Sequence, residues 1–180
     1  MPLIAFDRAE GTFVIRGLGV FHGDRLVGEL SGRETRAFGL LTARAGSATL
    51  QVPLDKIGRV TYRRVRSSSK VTPFISGSRL GFLVKVSVQG FLIEMTKPVS
   101  PISIQLNRAM ELATAHAIED EMARMVRRLQ ELNSDILGFG ELLRATRPKI
   151  WRRINWDKEF PRASVRIEVN FTIARTGTYR

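Results

Sequence analysis

Two histidines, one run of three acids, two glycine pairs and two arginine-rich stretches are the residues of this 180-residue chain whose types and spacing bear on chemistry. His22 and His116 are the only histidines, and neither has a second at i+4, so no zinc pair forms and no metal site is expected. Glu119, Asp120 and Glu121 are consecutive. On a helix such neighbours diverge by about 100°, which makes them a solvated face rather than an acid–base dyad. Gly138-Phe139-Gly140 lacks the spacing and the lysine of a phosphate loop and reads as a helix C-terminus or tight corner. Gly17-Leu18-Gly19 has no helix where a dinucleotide fingerprint needs one. Serines occur without a G-x-S-x-G elbow or an evident histidine base. Neither an enzyme nor a cofactor is expected from this set.

The basic stretches are what is left. One holds Arg59, Arg63, Arg64, Arg66 and Lys70; the other holds Arg144, Arg147, Lys149, Arg152 and Arg153 around Trp151. Arg59, Arg63, Arg64, Arg66, Lys70, Arg152 and Arg153 are the candidate contacts for a partner or an anionic surface. Net charge is +12, with an excess of six in residues 1–70, balance in 71–135, and an excess of six in 136–180. A fold that brings the two ends to one face would present a field favouring phosphate-bearing head groups, nucleic acid or acidic protein surfaces. The alternative function is therefore a basic nucleic-acid-binding domain. Against specific binding, the chain has no RNP aromatic pair, GXXG loop or zinc finger, and Trp151 with Ile150 and Ile154 reads as a core anchor.

The elements that must position these residues follow from periodicity. Val20-Phe21 and Leu26–Leu30 form a hairpin around His22-Gly23-Asp24-Arg25. Ser31 and Glu34 then make a capping box for a helix near Arg33–Ala43, which Ala45-Gly46 breaks. Ala48–Val52 is a short strand ended by Pro53. Arg59–Arg66 carries arginines on both faces, which predicts an edge strand or protruding arm. Ser67-Ser68-Ser69 loosens the chain, and Pro73 and Gly77 bound a short piece. Leu80–Met95 alternates as a half-buried strand, with a one-residue shift at Gly90 that predicts a bulge.

Ser100-Pro101 opens a long helix to about Asn133, with one apolar row through Leu106, Met110, Ala113 and Ala117, continued by Ile118, Met122, Met125, Leu129 and Leu132. A short helix at Glu141–Thr146, another turn from Pro148 and an alternating strand at Ala163–Ala174 complete the chain. The fold class is α+β, a largely antiparallel β-sheet covered by one long helix and shorter helices. A hydrophobic content of 43% suits one globular domain over residues 1–180. There is no cysteine, no apolar run long enough to cross a bilayer, and no secretory leader before Asp7.

Four blocks carry a resemblance: Gly17–Glu29 (GLGVFHGDRLVGE), Arg66–Pro73 (RSSSKVTP), Asn133–Glu141 (NSDILGFGE) and Arg147–Pro161 (RPKIWRRINWDKEFP), with the strand ending at Ile173–Gly177. In this order the chain resembles the C-terminal domain of the bacterial spore-germination receptor C subunits, the Ger(x)C-type lipoproteins. The resemblance implies a non-enzymatic subunit domain of a nutrient-germinant receptor, assembling with membrane-embedded receptor subunits at the outer face of the spore inner membrane. It implies β-sheets surrounded by helices and no catalytic or ligand residues to carry over. Full-length relatives hold a lipid anchor. The sequence here shows no lipobox cysteine, so an excised domain or truncated homologue, soluble by itself, is expected.

Overall fold

Hairpin turns and one long helix set the architecture of the computed structural model, which describes residues 1–44, 48–54, 58–77, 79–97 and 103–174. The first sheet has three antiparallel strands, β1 (Pro2–Asp7), β2 (Thr12–His22) and β3 (Arg25–Ser31), in that order. Gly23 takes φ +60°, so the two-residue turn between His22 and Arg25 needs no strained side chain. β1 is an element the sequence reading passed over. Its run Pro2–Phe6 lacks a polar alternation, although Ile4, Phe6 and their partners Ile15 and Phe13 stay exposed.

Helix α1 (Gly32–Leu41) starts as expected: Ser31 Oγ accepts from the Glu34 amide, and the Glu34 carboxylate accepts from the Ser31 amide at 2.8 Å. The break at Ala45-Gly46 lies outside the described residues.

The second sheet orders β4 (Ala48–Leu54), β5 (Gly58–Ser76), β6 (Arg79–Met95) and β7 (Ser164–Ile173). Three expectations change here. Pro53 does not end β4; it pairs opposite Arg59, and it is tolerated because β4 is an edge strand whose outer amides need no partner. The Arg59–Arg66 segment is neither edge nor arm, since β4 and β6 flank it. The serine triplet does not loosen the chain, because Ser67, Ser68 and Ser69 pair with Val88, Ser87 and Val86 inside one 19-residue strand.

The broken alternation has a different cause, a bulge on β5. Arg63 pairs with Phe91 and Arg66 with Gln89, so two residues of β5, Arg64 and Val65, face the single Gly90. Arg64 takes φ +51°. Gly90 is the partner of that bulge and not its extra residue. The inward alternation of β6 continues past it through Leu92, and a second shift falls at Ile93.

β7 joins β6 in parallel, the one departure from the antiparallel pattern among the described strands. A parallel neighbour needs a long crossover. It is supplied by α2 (Ile104–Glu131), α3 (Phe139–Thr146), α4 (Pro148–Trp151), α5 (Trp156–Glu159) and a 3₁₀ turn at Phe160–Arg162. The expected opening of α2 at Ser100-Pro101 lies outside the described residues; Ser103 caps the helix that is seen. Met110, Ile118, Met122, Met125 and Leu129 of α2 are buried in one apolar cluster with Val20 and Leu30 of the first sheet and Val84, Val86, Ile167 and Phe171 of the second. Gln130 Nε2 donates to the carbonyls of Phe160 and Ala163, and Glu111 accepts from the Ile173 amide, which fixes α2 to both ends of β7.

Candidate functional site

Two of the four sequence blocks, Asn133–Glu141 and Arg147–Pro161, meet at one carboxylate, and a third docks beside it. Asp135 Oδ1 accepts from the Phe139 amide at 3.0 Å, and Oδ2 accepts from the Gly140 amide at 2.6 Å and Trp156 Nε1 at 3.2 Å. Gly138, at φ +76°, turns the chain into α3, so Gly138-Phe139-Gly140 is a corner before a helix rather than a helix C-terminus. Gly140 is glycine for a packing reason. A Cβ there would sit 2.6 Å from Trp156 Nε1, inside the indole ring's own volume. Trp156 in turn packs against Phe82, Trp151 and Phe160, and Phe82 stacks on Phe139 at 4.7 Å.

The first hairpin docks beside this junction. His22 Nδ1 donates to the Asn133 carbonyl at 2.6 Å, and Ser134 Oγ donates to the Phe21 carbonyl at 2.5 Å. Gly28 faces the Leu132 side chain so closely that a Cβ would meet it at 2.8 Å. Burial pushes the Asp135 carboxyl above its usual range, and the amide and indole donors offset that only in part. Every donor around Asp135 is neutral and already used. Three of the blocks that carry the resemblance are therefore spent on joining hairpin, helix and sheet.

The basic candidates lie elsewhere and do not form one patch. Arg63, Arg64, Arg66 and Lys70 are exposed on β5. The bulge keeps Arg63 and Arg66 on the same side although they are three apart, because one extra residue restores the two-residue period. Arg66 pairs opposite Gln89 and Lys70 opposite Lys85, and on β7 Arg166 and Glu168 continue the same polar face. Lys85 reaches Glu168 at 3.3 Å. Residues from both basic ends of the chain, Lys70 and Arg166, thus share the outer surface of this sheet.

Arg152 and Arg153 sit apart, exposed just after α4. Their neighbour Arg144 is held by Glu141 at 2.6 and 2.9 Å, which holds the Glu141 carboxyl below its usual range. Trp151 does pack on the core, as expected of an anchor, and Ile150 lines a small apolar cavity with Pro73, Phe74 and Arg147.

Arg59 separates from its stretch altogether. It lines a polar cleft of about 470 Å³ with Arg33 and Arg36 of α1, Gln51 and Pro53 of β4, and Asp120, Glu121 and Arg124 of α2. Arg36 Nη2 donates to both carboxylate oxygens of Glu121 at 2.8 Å, while the buried Arg36 Nε has no partner. Glu121 is consequently an ion-pair partner and not part of a solvated acidic face. The sequence reading missed Arg33, Arg36 and Arg124 because they come from segments roughly 90 residues apart. Among the described residues no group of three His, Cys, Asp or Glu is placed to hold a metal.

The family model described as "Spore germination B3/ GerAC like, C-terminal" matches residues 16–177, nearly all of the chain. Spore germination protein YndF of Bacillus subtilis (strain 168) is 25% identical over 179 residues, covering 96% of this chain and 44% of YndF. Spore germination protein B3 of the same organism is 23% identical over 180 residues, covering 97% of this chain and 48% of B3. The chain spans less than half the length of these curated relatives. The crystal structure of the GerBC protein superposes with a TM-score of 0.81 at 21% identity, covering 92% of this chain and 53% of that one, which shows a common fold.

Proposed function

Because this chain belongs to the spore germination B3/GerAC-like C-terminal family, we infer that it is the assembly domain of a germinant-receptor C subunit. In this reading residues 1–180 act as one domain without catalysis, docking onto membrane-embedded receptor subunits at the outer face of the spore inner membrane. Full-length members of the family would supply the lipid anchor. Among the described residues no helix is long and apolar enough to cross the membrane.

The observation that supports docking is the uncovered outer face of β5, β6 and β7. Arg66, Ser68, Lys70, Lys85, Ser87, Gln89, Asn170 and Thr172 are all exposed there, with Glu168 as the acid among them. A rigid, polar, basic surface of this kind is complementary to acidic loops or to anionic lipid beside them, and steers association more than it sets affinity. Arg63, Arg64, Arg66 and Lys70 are the residues assigned to that contact, with Arg152 and Arg153 as a second basic point.

Co-purification of the domain with the other receptor subunits from detergent-solubilised membranes tests this. Reversal of Arg63, Arg64 and Arg66 to Glu is expected to reduce recovery of those subunits about tenfold. Unchanged recovery removes the outer face from the interaction.

A further inference from the structure

Among the described residues that line it, the cleft between α1, α2 and β4 holds more guanidinium groups than carboxylates. Four guanidinium groups, Arg33, Arg36, Arg59 and Arg124, face two carboxylates, Asp120 and Glu121. One carboxylate is already engaged, since Arg36 Nη2 donates to both oxygens of Glu121. Among the described residues Arg33, Arg59 and Arg124 pair with no carboxylate. Counted over its lining residues the cleft carries a surplus of two positive charges, or one if Glu34, which lines the adjoining pocket with Arg33, Glu121 and Arg124, is included. Such crowding of like charges is unfavourable unless an anion enters.

We propose that this cleft is a binding site for a phosphate group, carried on a small organic phosphate or on a lipid headgroup. Charge and shape both select phosphate over carboxylate. A planar carboxylate takes its donors in one plane, whereas a tetrahedral phosphate presents three oxygens to donors from several directions. Arg59 comes from β5, Arg124 from α2 and Arg33 from the first turn of α1, so the donors converge from three elements. Gln51 adds a neutral hydrogen-bonding amide on the same sheet face as Arg59. At about 470 Å³ the cleft exceeds what phosphate alone fills and falls in the range of small-ligand sites.

Titration of the chain with inorganic phosphate and with glycerol phosphate, followed by calorimetry at about 0.15 M salt, tests the site. Saturable binding is expected, weakened about tenfold or more by Arg59→Ala with Arg124→Ala. The control is Arg108→Ala with Arg127→Ala, which removes the same charge from exposed positions of α2 outside the cleft and is expected to leave binding unchanged. Absence of saturable binding overturns the proposal. So does equal weakening by both pairs, which would mean net charge alone, and so does acetate binding as tightly as phosphate. Co-sedimentation with phosphatidylglycerol vesicles separates the two sources. Loss of vesicle binding in the Arg59/Arg124 variant alone assigns the site to a headgroup. Vesicle binding that ignores both pairs, while glycerol phosphate binding still needs Arg59 and Arg124, assigns it to a free organic phosphate.

Discussion

The Asp135 junction and the arginine cleft are opposite solutions to placing charge in a fold. At the junction one carboxylate is surrounded by neutral donors that are all committed, with Trp156 closing the site. In the cleft four guanidinium groups meet two carboxylates, and the Arg36–Glu121 pair is the only ion pair seen there among the described residues. The difference separates residues that specify the fold from residues left over for a ligand. Sequence blocks gather at the first, and ligand chemistry at the second.

Filling the glycine at the junction should produce the largest effect. Gly140→Ala places a methyl against Trp156 Nε1 and Cε2, and the obstacle is a ring held by Phe82 and Phe160 rather than a flexible end. A loss of about 3 kcal/mol is expected by chemical denaturation, as for overpacking in a close-packed core. A neutral result would mean that the junction can open, and the contrast with the cleft would fail.

Asp135→Asn comes next. The amide turns one acceptor oxygen into a donor facing the Gly140 amide and the indole, or facing the Phe139 amide, for a cost of about 2 kcal/mol. Its pH dependence has a definite sign. Burial raises the Asp135 carboxyl in the folded state, so its contribution is fullest below the ordinary carboxylate range and is lost as pH rises through the folded value. The variant lacks that term. The gap in stability between wild type and Asp135→Asn should therefore be wider near about pH 4 than near about pH 7, measured by urea unfolding at both. A gap that narrows toward acid would mean the donors outweigh burial.

Much of the junction's framework, though not its centre, is readable in the amino-acid order. The Gly23 turn, the Ser31–Glu34 box, the apolar rows of α2 and the alternation of Val165 to Ile173 are local patterns, and each forms where local rules put it. Asp135 escaped because its partners lie up to 21 residues away and include an indole, which no spacing rule anticipates. The basic stretch misled for a related reason. A non-glycine residue at positive φ, Arg64, breaks the period-two pattern, and a bulge in a central strand then imitates an edge strand. The parallel place of β7 and the cleft both depend on the crossover, which brings α2 back beside α1 and β4. Neither has a local signature.

A smaller effect is expected beside the cleft, at the start of α1. Ser31→Ala removes the acceptor for the Glu34 amide and should cost about 1 kcal/mol, read as a shift of the denaturation midpoint without a change of slope. It should leave the junction intact and loosen the turn that carries Arg33. A stability loss without any effect on phosphate binding would mean that Arg33 is dispensable to the cleft.

The finest test exchanges a single charge in the cleft. Glu121→Gln keeps the side-chain volume but removes the charge that holds Arg36 Nη2, leaving four guanidinium groups and Asp120. Arg36 and Glu121 are part-exposed, so the stability change should be under about 1 kcal/mol. Phosphate affinity should rise about threefold, because the released donor and the added positive charge both act on the ligand. The same substitution rationale applied at Asp135 predicts the reverse: a clear loss of stability and no change in phosphate binding. If Glu121→Gln instead weakens phosphate, Glu121 is a positioning residue that aims Arg36 at the ligand. The cleft would then be organised like the junction, around a carboxylate, and its free charge would be only part of its design.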